Sequence, residues 1–256
     1  MFLNFTDGME QNYSRVQAPA LLDIMNVPYS GSDVFATVLM NNKHYCKQTL
    51  QGNDIRISKS CIVNQFIPLD FDELATWSYP IFVKPNCEGS FLGISEKCVC
   101  HTLSEAKNVV SELVKMFDEV IIEEYIPGLD VTNYLIGNKD TYYINDVVVA
   151  ELFDKTPFPV YDRRVKQNKR RTLFYNEEKI DTQTLEKIKK QSIKIAKIIG
   201  AKDICRIDYR LNTNTKEFTF IEINSGVSQN GPVDKLRKRG RLHGIILISN
   251  TGGRFL

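Results

Sequence analysis

The hardest chemistry in the sequence sits in two short stretches, ICRIDYRL (204–211) and FTFIEIN (218–224), which carry Arg206, Asp208, Glu222 and Asn224. Carboxylate and amide oxygens are hard ligands. Mg²⁺ takes one or two carboxylates and leaves its remaining positions to water and phosphate oxygens. Both stretches alternate apolar and polar residues, and Asn212, Thr213, Asn214 and Thr215 between them form a polar turn, which predicts a β-hairpin. With a side-chain period of two, Ile204, Arg206, Asp208 and Arg210 share one face of the first strand, and Phe218, Phe220, Glu222 and Asn224 one face of the second. If those faces coincide, Asp208, Glu222 and Asn224 converge beside Arg206. The plain alternative is a hairpin with a solvated polar face.

Other residues suit a phosphate-bearing ligand. A β-rich run from Tyr79 ends in Lys84 before Pro85, and a loop with Glu88, Gly89, Ser90 and Gly93 leads to another strand. Glycines let backbone N–H groups approach a ligand, and Lys84 would add a point charge. The pattern is neither a Walker A loop nor a dinucleotide fingerprint, and a strand–turn–strand with a snorkelling lysine is the bland reading. The stretch VIIEEYIPG (120–128) is a strand breaking into a Pro-Gly turn. Backbone groups there could read an adenine edge, with Asp130 bonding a ribose, or it is a core strand with a polar exit. Lys43 and Lys47, one turn apart, read on their own as surface lysines. The basic, proline-containing stretch 156–172 fits a mobile lid carrying cations to phosphates, a nucleic-acid patch or a solvated loop.

These residues need a scaffold. Periodicity predicts helices over 14–25, 34–41 (capped by Ser32 or Asp33), 70–75, 104–117 (capped by Ser104) and 182–199 (closed by Gly200). It predicts strands over 2–5, 79–84, 120–126, 130–137 and 141–153 besides the hairpin. The basic run 235–241 and the irregular sequence after it are read as a solvated end. The chain has 256 residues, 43% hydrophobic and 25% charged, with a net charge of +2, which gives no global pull toward nucleic acid or a membrane. Apolar runs fall short of the roughly 18 residues of a spanning helix, and the start lacks the pattern of a secretory signal. Six cysteines without framework spacing fit reduced thiols and a cytoplasmic location, and Cys98 and Cys100 read as structural.

Taken in order, the pieces resemble the ATP-grasp ligases, most closely the D-alanine–D-alanine ligases and their relatives. The resemblance rests on VPYSGS (27–32), on VKP (83–85) with Glu88, Gly89, Ser90, Gly93 and Ile94, on Glu123 and Glu124 with Gly128, and on Arg206, Asp208, Glu222 and Asn224. It implies an α+β, ATP-grasp fold: two α+β subdomains gripping a nucleotide, with a remnant of the N-terminal α/β domain. The expected division is 1–42 for that remnant, 43–77 for a linker and the start of the ATP-grasp unit, 78–135 for the small lid subdomain, and 136–256 for the large subdomain.

By the same resemblance Lys43 and Lys84 contact the nucleotide phosphates, with the loop of Glu88, Gly89 and Ser90 folding over them. Glu123 and the backbone near Ile126 meet the adenine, Glu124 belongs to the nucleotide-binding set, and Asp130 meets the ribose. Lys166 is the γ-phosphate lysine of the mobile ω-loop. Asp208, Glu222 and Asn224 hold Mg²⁺ or Mn²⁺, and Arg206 acts in catalysis with Lys166 and Ser90. The implied activity is ATP-dependent carboxylate–amine ligation through an acyl phosphate, in peptidoglycan biosynthesis, with amino acids or peptides as substrates. The resemblance also implies a homodimer. Departures from the family include Phe91 in place of a serine, Asp130 in place of a glutamate, Arg163 and Arg164 in place of ω-loop residues, and the lack of an Asn-x-x-Pro-Gly continuation after Asn224. The rival readings are a nucleotide-binding module without turnover and a nucleic-acid binder.

Overall fold

The structure is a computed structural model, and residues 2, 4, 14–89, 92–152, 172–175 and 179–225 are described. Two antiparallel sheets organise them. The four-stranded sheet has the order β1-β4-β2-β3, from β1 (Ser60–Asn64), β2 (Ile81–Pro85), β3 (Val99–Cys100) and β4 (Glu119–Glu124). The five-stranded sheet has the order β7-β6-β5-β8-β9, from β5 (Leu129–Asn138), β6 (Thr141–Leu152), β7 (Thr172–Tyr175), β8 (Asp203–Leu211) and β9 (Phe218–Asn224). β5 runs unbroken across the expected division at 135/136 and pairs inside the five-stranded sheet. β1, from the stretch expected as a linker, is an edge strand of the other sheet.

Each sheet has helices on one face. Helices α4 (Phe71–Ala75) and α5 (Leu103–Leu113) cover the smaller sheet, packing Leu74, Ala106, Val110 and Leu113 on Ile81, Val83, Val120 and Ile122. The period of two then sends Phe82, Lys84, Ile121 and Glu123 to the opposite face. Helix α5 is capped by Thr102, whose hydroxyl accepts from Glu105 N at 3.2 Å, so Ser104 lies inside the first turn instead of capping it.

Helix α6 (Thr182–Ile199) backs the larger sheet with Leu185, Ile188, Ile195 and Ile199, and left-handed Gly200 ends it as expected. Helix α1 (Gln17–Ile24) precedes α2 (Val34–Asn41), whose N-cap is Asp33, accepting from Ala36 N at 3.0 Å. A third helix, α3 (Lys43–Gln51), follows α2 and was not anticipated. Its buried stripe is Lys43, Cys46, Lys47 and Leu50, so two lysines occupy positions where helical periodicity asks for apolar residues. In place of the expected strand 2–5, Phe2 makes a single parallel bridge to Tyr29.

Gly128, in the connection between β4 and β5, has φ +136°, and a Cβ built there would lie 2.2 Å from the Leu211 carbonyl oxygen. Gly128→Ala must both hold a backbone region closed to L-residues and displace main chain. A loss of at least about 1–3 kcal/mol is expected, read from urea unfolding midpoints.

Candidate functional site

Lys84 and Glu123 are diagonal neighbours on the face of the smaller sheet turned away from α4 and α5, since Phe82 pairs with Glu123 and Lys84 with Ile121. Lys84 Nζ lies 2.5 Å from Glu123 Oε1. Lys47 reaches the other oxygen, Oε2, from α3, and also donates to Ser58 Oγ at 2.7 Å. Lys47 is wholly buried, and Glu123 and Lys84 are each 4% exposed. Burial alone would raise the Glu123 pKa, but the two ammonium groups outweigh it and bring it to about 2. Burial depresses Lys47, with Glu123 opposing it. The surface-lysine reading of Lys43 and Lys47 is thus corrected. The α3 stripe turns both inward, and Lys47 is the site residue that sequence reasoning missed. Its spacing of four from Lys43 was the available signal.

Lys43 is buried too, but its ammonium is held by neutral groups. It donates to the carbonyl oxygens of Glu88 at 2.5 Å and Asn86 at 3.3 Å, with Glu222 Oε2 3.9 Å away. Burial lowers its pKa, Glu222 opposes that shift, and Lys84 adds to it. A buried cation this thinly compensated suits an incoming anion.

That 3.9 Å approach brings the hairpin against the lysines. Asp208 pairs with Glu222 and Arg206 with Asn224 across β8 and β9, so the four side chains share one face. Asp208 Oδ2 accepts from Arg206 Nε at 3.0 Å and Nη2 at 2.8 Å, and Oδ1 from Thr132 Oγ1 at 2.7 Å. Asn224 Nδ2 donates to Glu222 Oε1 at 3.0 Å and lies 3.4 Å from Asp208 Oδ2, and Arg206 Nη2 is 3.7 Å from Glu222. Burial would raise Glu222, yet Lys43, Lys84 and Arg206 hold it at about 2. Asp208 moves the other way: burial and the Glu222 charge raise it against Arg206.

One part of the face assignment is overturned. The register slips between Asp208 and Tyr209, where Tyr209 pairs with Phe220 instead of with Ile221. This β-bulge changes the phase of β9, so Phe220 is wholly buried in the helix-backed core and Phe218 packs against it. Of the four residues expected together, Glu222 and Asn224 remain on the face of Asp208.

Where the chain passes between the sheets, Asp130 pairs with Arg210 in register. Arg210 Nε lies 3.1 Å from Asp130 Oδ1, and its Nη1 donates to Gly128 O at 3.0 Å. The guanidinium also stands 5.6 Å from the centre of the Tyr125 ring. Glu124 N and Tyr125 N donate to the carbonyls of Lys59 and Pro80, and Ile126 follows them. The Glu88 carbonyl borders Lys43, and a Cβ built at Gly89 would meet the Arg15 guanidinium. Ser90, Lys166, Arg163 and Arg164 lie outside the described residues.

Two carboxylates and one amide are a donor set that fits a hard divalent cation. Among the described residues no group of three or more His, Cys, Asp or Glu side chains could hold a metal ion. Turning the Asn224 amide over would present its oxygen beside the carboxylates.

Comparison with known proteins gives this chain a family. The profile of the family described as D-ala D-ala ligase C-terminus matches residues 66–228, more than half of the chain. The chain belongs to this family. Among relatives of this D-Ala-D-Ala ligase-family chain, the D-alanine–D-alanine ligase of Bartonella henselae is 27% identical over 205 residues, covering 80% of this chain and 64% of that protein. The enzyme of Aquifex aeolicus is 31% identical over 214 residues, covering 80% and 65%. The chain thus spans slightly under two thirds of the length of these relatives. In three dimensions it resembles the D-alanine–D-alanine ligase of Bacillus anthracis complexed with ATP. The TM-score is 0.71 at 19% identity, over 89% of this chain and 69% of that one. The VanG D-Ala:D-Ser ligase of Enterococcus faecalis gives a TM-score of 0.67 at 21% identity, over 82% and 59%. The family chain therefore has the α+β, ATP-grasp fold. No helix among its described residues is long and apolar enough to cross a membrane.

Proposed function

We propose that the chain is an ATP-dependent carboxylate–amine ligase of the D-alanine–D-alanine ligase kind. The observation that carries this reading is the approach of Lys43, held by carbonyls alone, to Glu222 of the acidic hairpin. A polyanion accompanied by a divalent cation satisfies both sides at once.

Lys43 and Lys84 take the phosphates, with the loop of Glu88, Gly89 and Ser90 beside them. Glu123, committed to Lys47 and Lys84, holds the Lys84 ammonium in place. The backbone around Glu124 and Ile126 takes the adenine edge, and Asp130, braced by Arg210, takes the ribose. Asp208, Glu222 and Asn224 would hold Mg²⁺ or Mn²⁺, which neutralises phosphate charge when bound. The substrate carboxylate attacks the γ-phosphate, giving an acyl phosphate and ADP. The second amine then displaces phosphate through a tetrahedral intermediate. Arg206 and Lys166 oppose the negative charge that develops, and Ser90 orients the reacting group. A cytoplasmic, homodimeric enzyme supplying peptidoglycan precursors belongs to the same reading.

Incubation with Mg-ATP and a panel of D- and L-amino acids tests it. The expected result is phosphate release stimulated by an amino acid, D-alanine first among them, matched by a dipeptide product. ATP binding without release across the panel would overturn the reading in favour of a nucleotide-binding module without turnover.

A further inference from the structure

Behind the phosphate-facing lysines lies a set of polar groups that the proposed reaction leaves unused. It centres on Glu119, at the start of β4. Its Oε2 accepts from Asn86 Nδ2 at 2.8 Å, Asn42 Nδ2 at 3.2 Å and Cys87 Sγ at 3.3 Å, and its Oε1 accepts from Asn64 Nδ2 at 3.3 Å. Asn86 is wholly buried and Asn42 is 2% exposed. The four donors come from the head of α3, the end of β1 and the loop after β2. One carboxylate therefore ties three segments to β4.

Two of those donors lead directly to Lys43. Asn42 is the N-cap of α3: its Oδ1 accepts from Tyr45 N at 3.0 Å while its Nδ2 faces Glu119. Asn86 donates its backbone N–H to Glu119 O at 2.9 Å, and its Oδ1 accepts from His44 N at 2.9 Å. The Asn86 carbonyl accepts from both Lys43 N and Lys43 Nζ. A lysine stem has four rotatable carbons and settles where its acceptors are. The acceptors here stand on a loop that Glu119 pins.

We propose that Glu119, acting through Asn42 and Asn86, is a positioning residue that fixes the Lys43 ammonium against the phosphate chain of a bound nucleotide. This rests on the nucleotide reading of the site given above. The identity of residue 42 is the sensitive point. Aspartate would cap α3 as well as asparagine does, but it cannot donate to Glu119 and would set a second carboxylate against it.

The test compares binding of Mg-ATP with binding of adenosine, which has no phosphate for Lys43 to touch. Wild type should bind Mg-ATP more tightly than adenosine; if it does not, the nucleotide reading itself fails. In Asn42→Asp, ATP affinity should fall about tenfold or more, while adenosine affinity holds. Asn42→Ser keeps an N-cap for α3 and adds no charge, but its short side chain cannot donate to Glu119, so it should lower ATP affinity in the same sense. Its thermal midpoint, with no like charges in contact, provides a folded comparison even where Asn42→Asp unfolds. If wild type favours ATP but Asn42→Asp keeps full ATP affinity, the positioning role is overturned. It is also overturned if ATP and adenosine weaken in parallel, or if Asn42→Ser keeps full ATP affinity.

Discussion

Glu222→Gln is expected to lower Mg-ATP-dependent phosphate release by about 10²–10³-fold while leaving the cooperative unfolding transition in place. Glutamine keeps the volume and can still accept from Asn224, which now donates to Glu222 Oε1 at 3.0 Å. What it removes is the charge that faces Lys43 at 3.9 Å and Arg206 at 3.7 Å. A hard divalent cation then has Asp208 as its one full carboxylate partner in the donor set. The comparison should be made at saturating ATP, with Mg²⁺ varied, and with the melting curve of each protein recorded. Wild-type turnover in the variant would remove Glu222 from the metal assignment.

The second large effect falls on stability. Glu123→Leu is expected to destabilise the fold by about 3–5 kcal/mol, measured by urea unfolding at pH 7, because it strands two buried cations. Lys47 keeps Ser58 as a hydrogen-bond acceptor and Lys84 loses its carboxylate at 2.5 Å. Lys47→Met should cost less, since Glu123 still pairs with Lys84. The pH dependence has a definite sign. Glu123 and Glu222 both sit at about 2 in the folded chain, below the 4.5 of an ordinary glutamate. Between those values the unfolded chain binds more protons than the folded one. Their stabilisation is present above pH 4.5 and is lost as the pH falls toward 2. Glu123→Leu should flatten that part of the profile, and an unchanged acid limb would count against the ion cluster.

Local rules made much of the scaffold readable. Helix α6 declares its apolar side and its Gly200 terminus, Asp33 marks the start of α2, and the polar turn of 212–215 announces the hairpin. Alternation marks Asp208 and Glu222 as candidates for a shared face, but the register that pairs them depends on the bulge beside Asp208, which no local pattern signals. Helix α3 escaped notice because Lys43 and Lys47 fill its buried stripe, so the sequence imitates a solvated face. The partners of Glu123 were equally hidden. Lys84 is a strand neighbour, but Lys47 arrives from a helix 76 residues away, and no local pattern encodes that meeting. Arg210 and Asp130 lie opposite one another only once β5 and β8 are paired.

The register slip beside Asp208 has a practical consequence for anyone redesigning this protein. Strand β9 behaves as two short segments with opposite orientation rules. Positions 218 and 220 answer to the helix-backed interior and tolerate changes judged by volume, whereas 222 and 224 answer to charge and ligand geometry. A library built on uniform alternation would vary the wrong side of the strand in one half of its members. Treating the two segments as separate design problems would let thermal robustness be improved from one end without touching chemistry at the other.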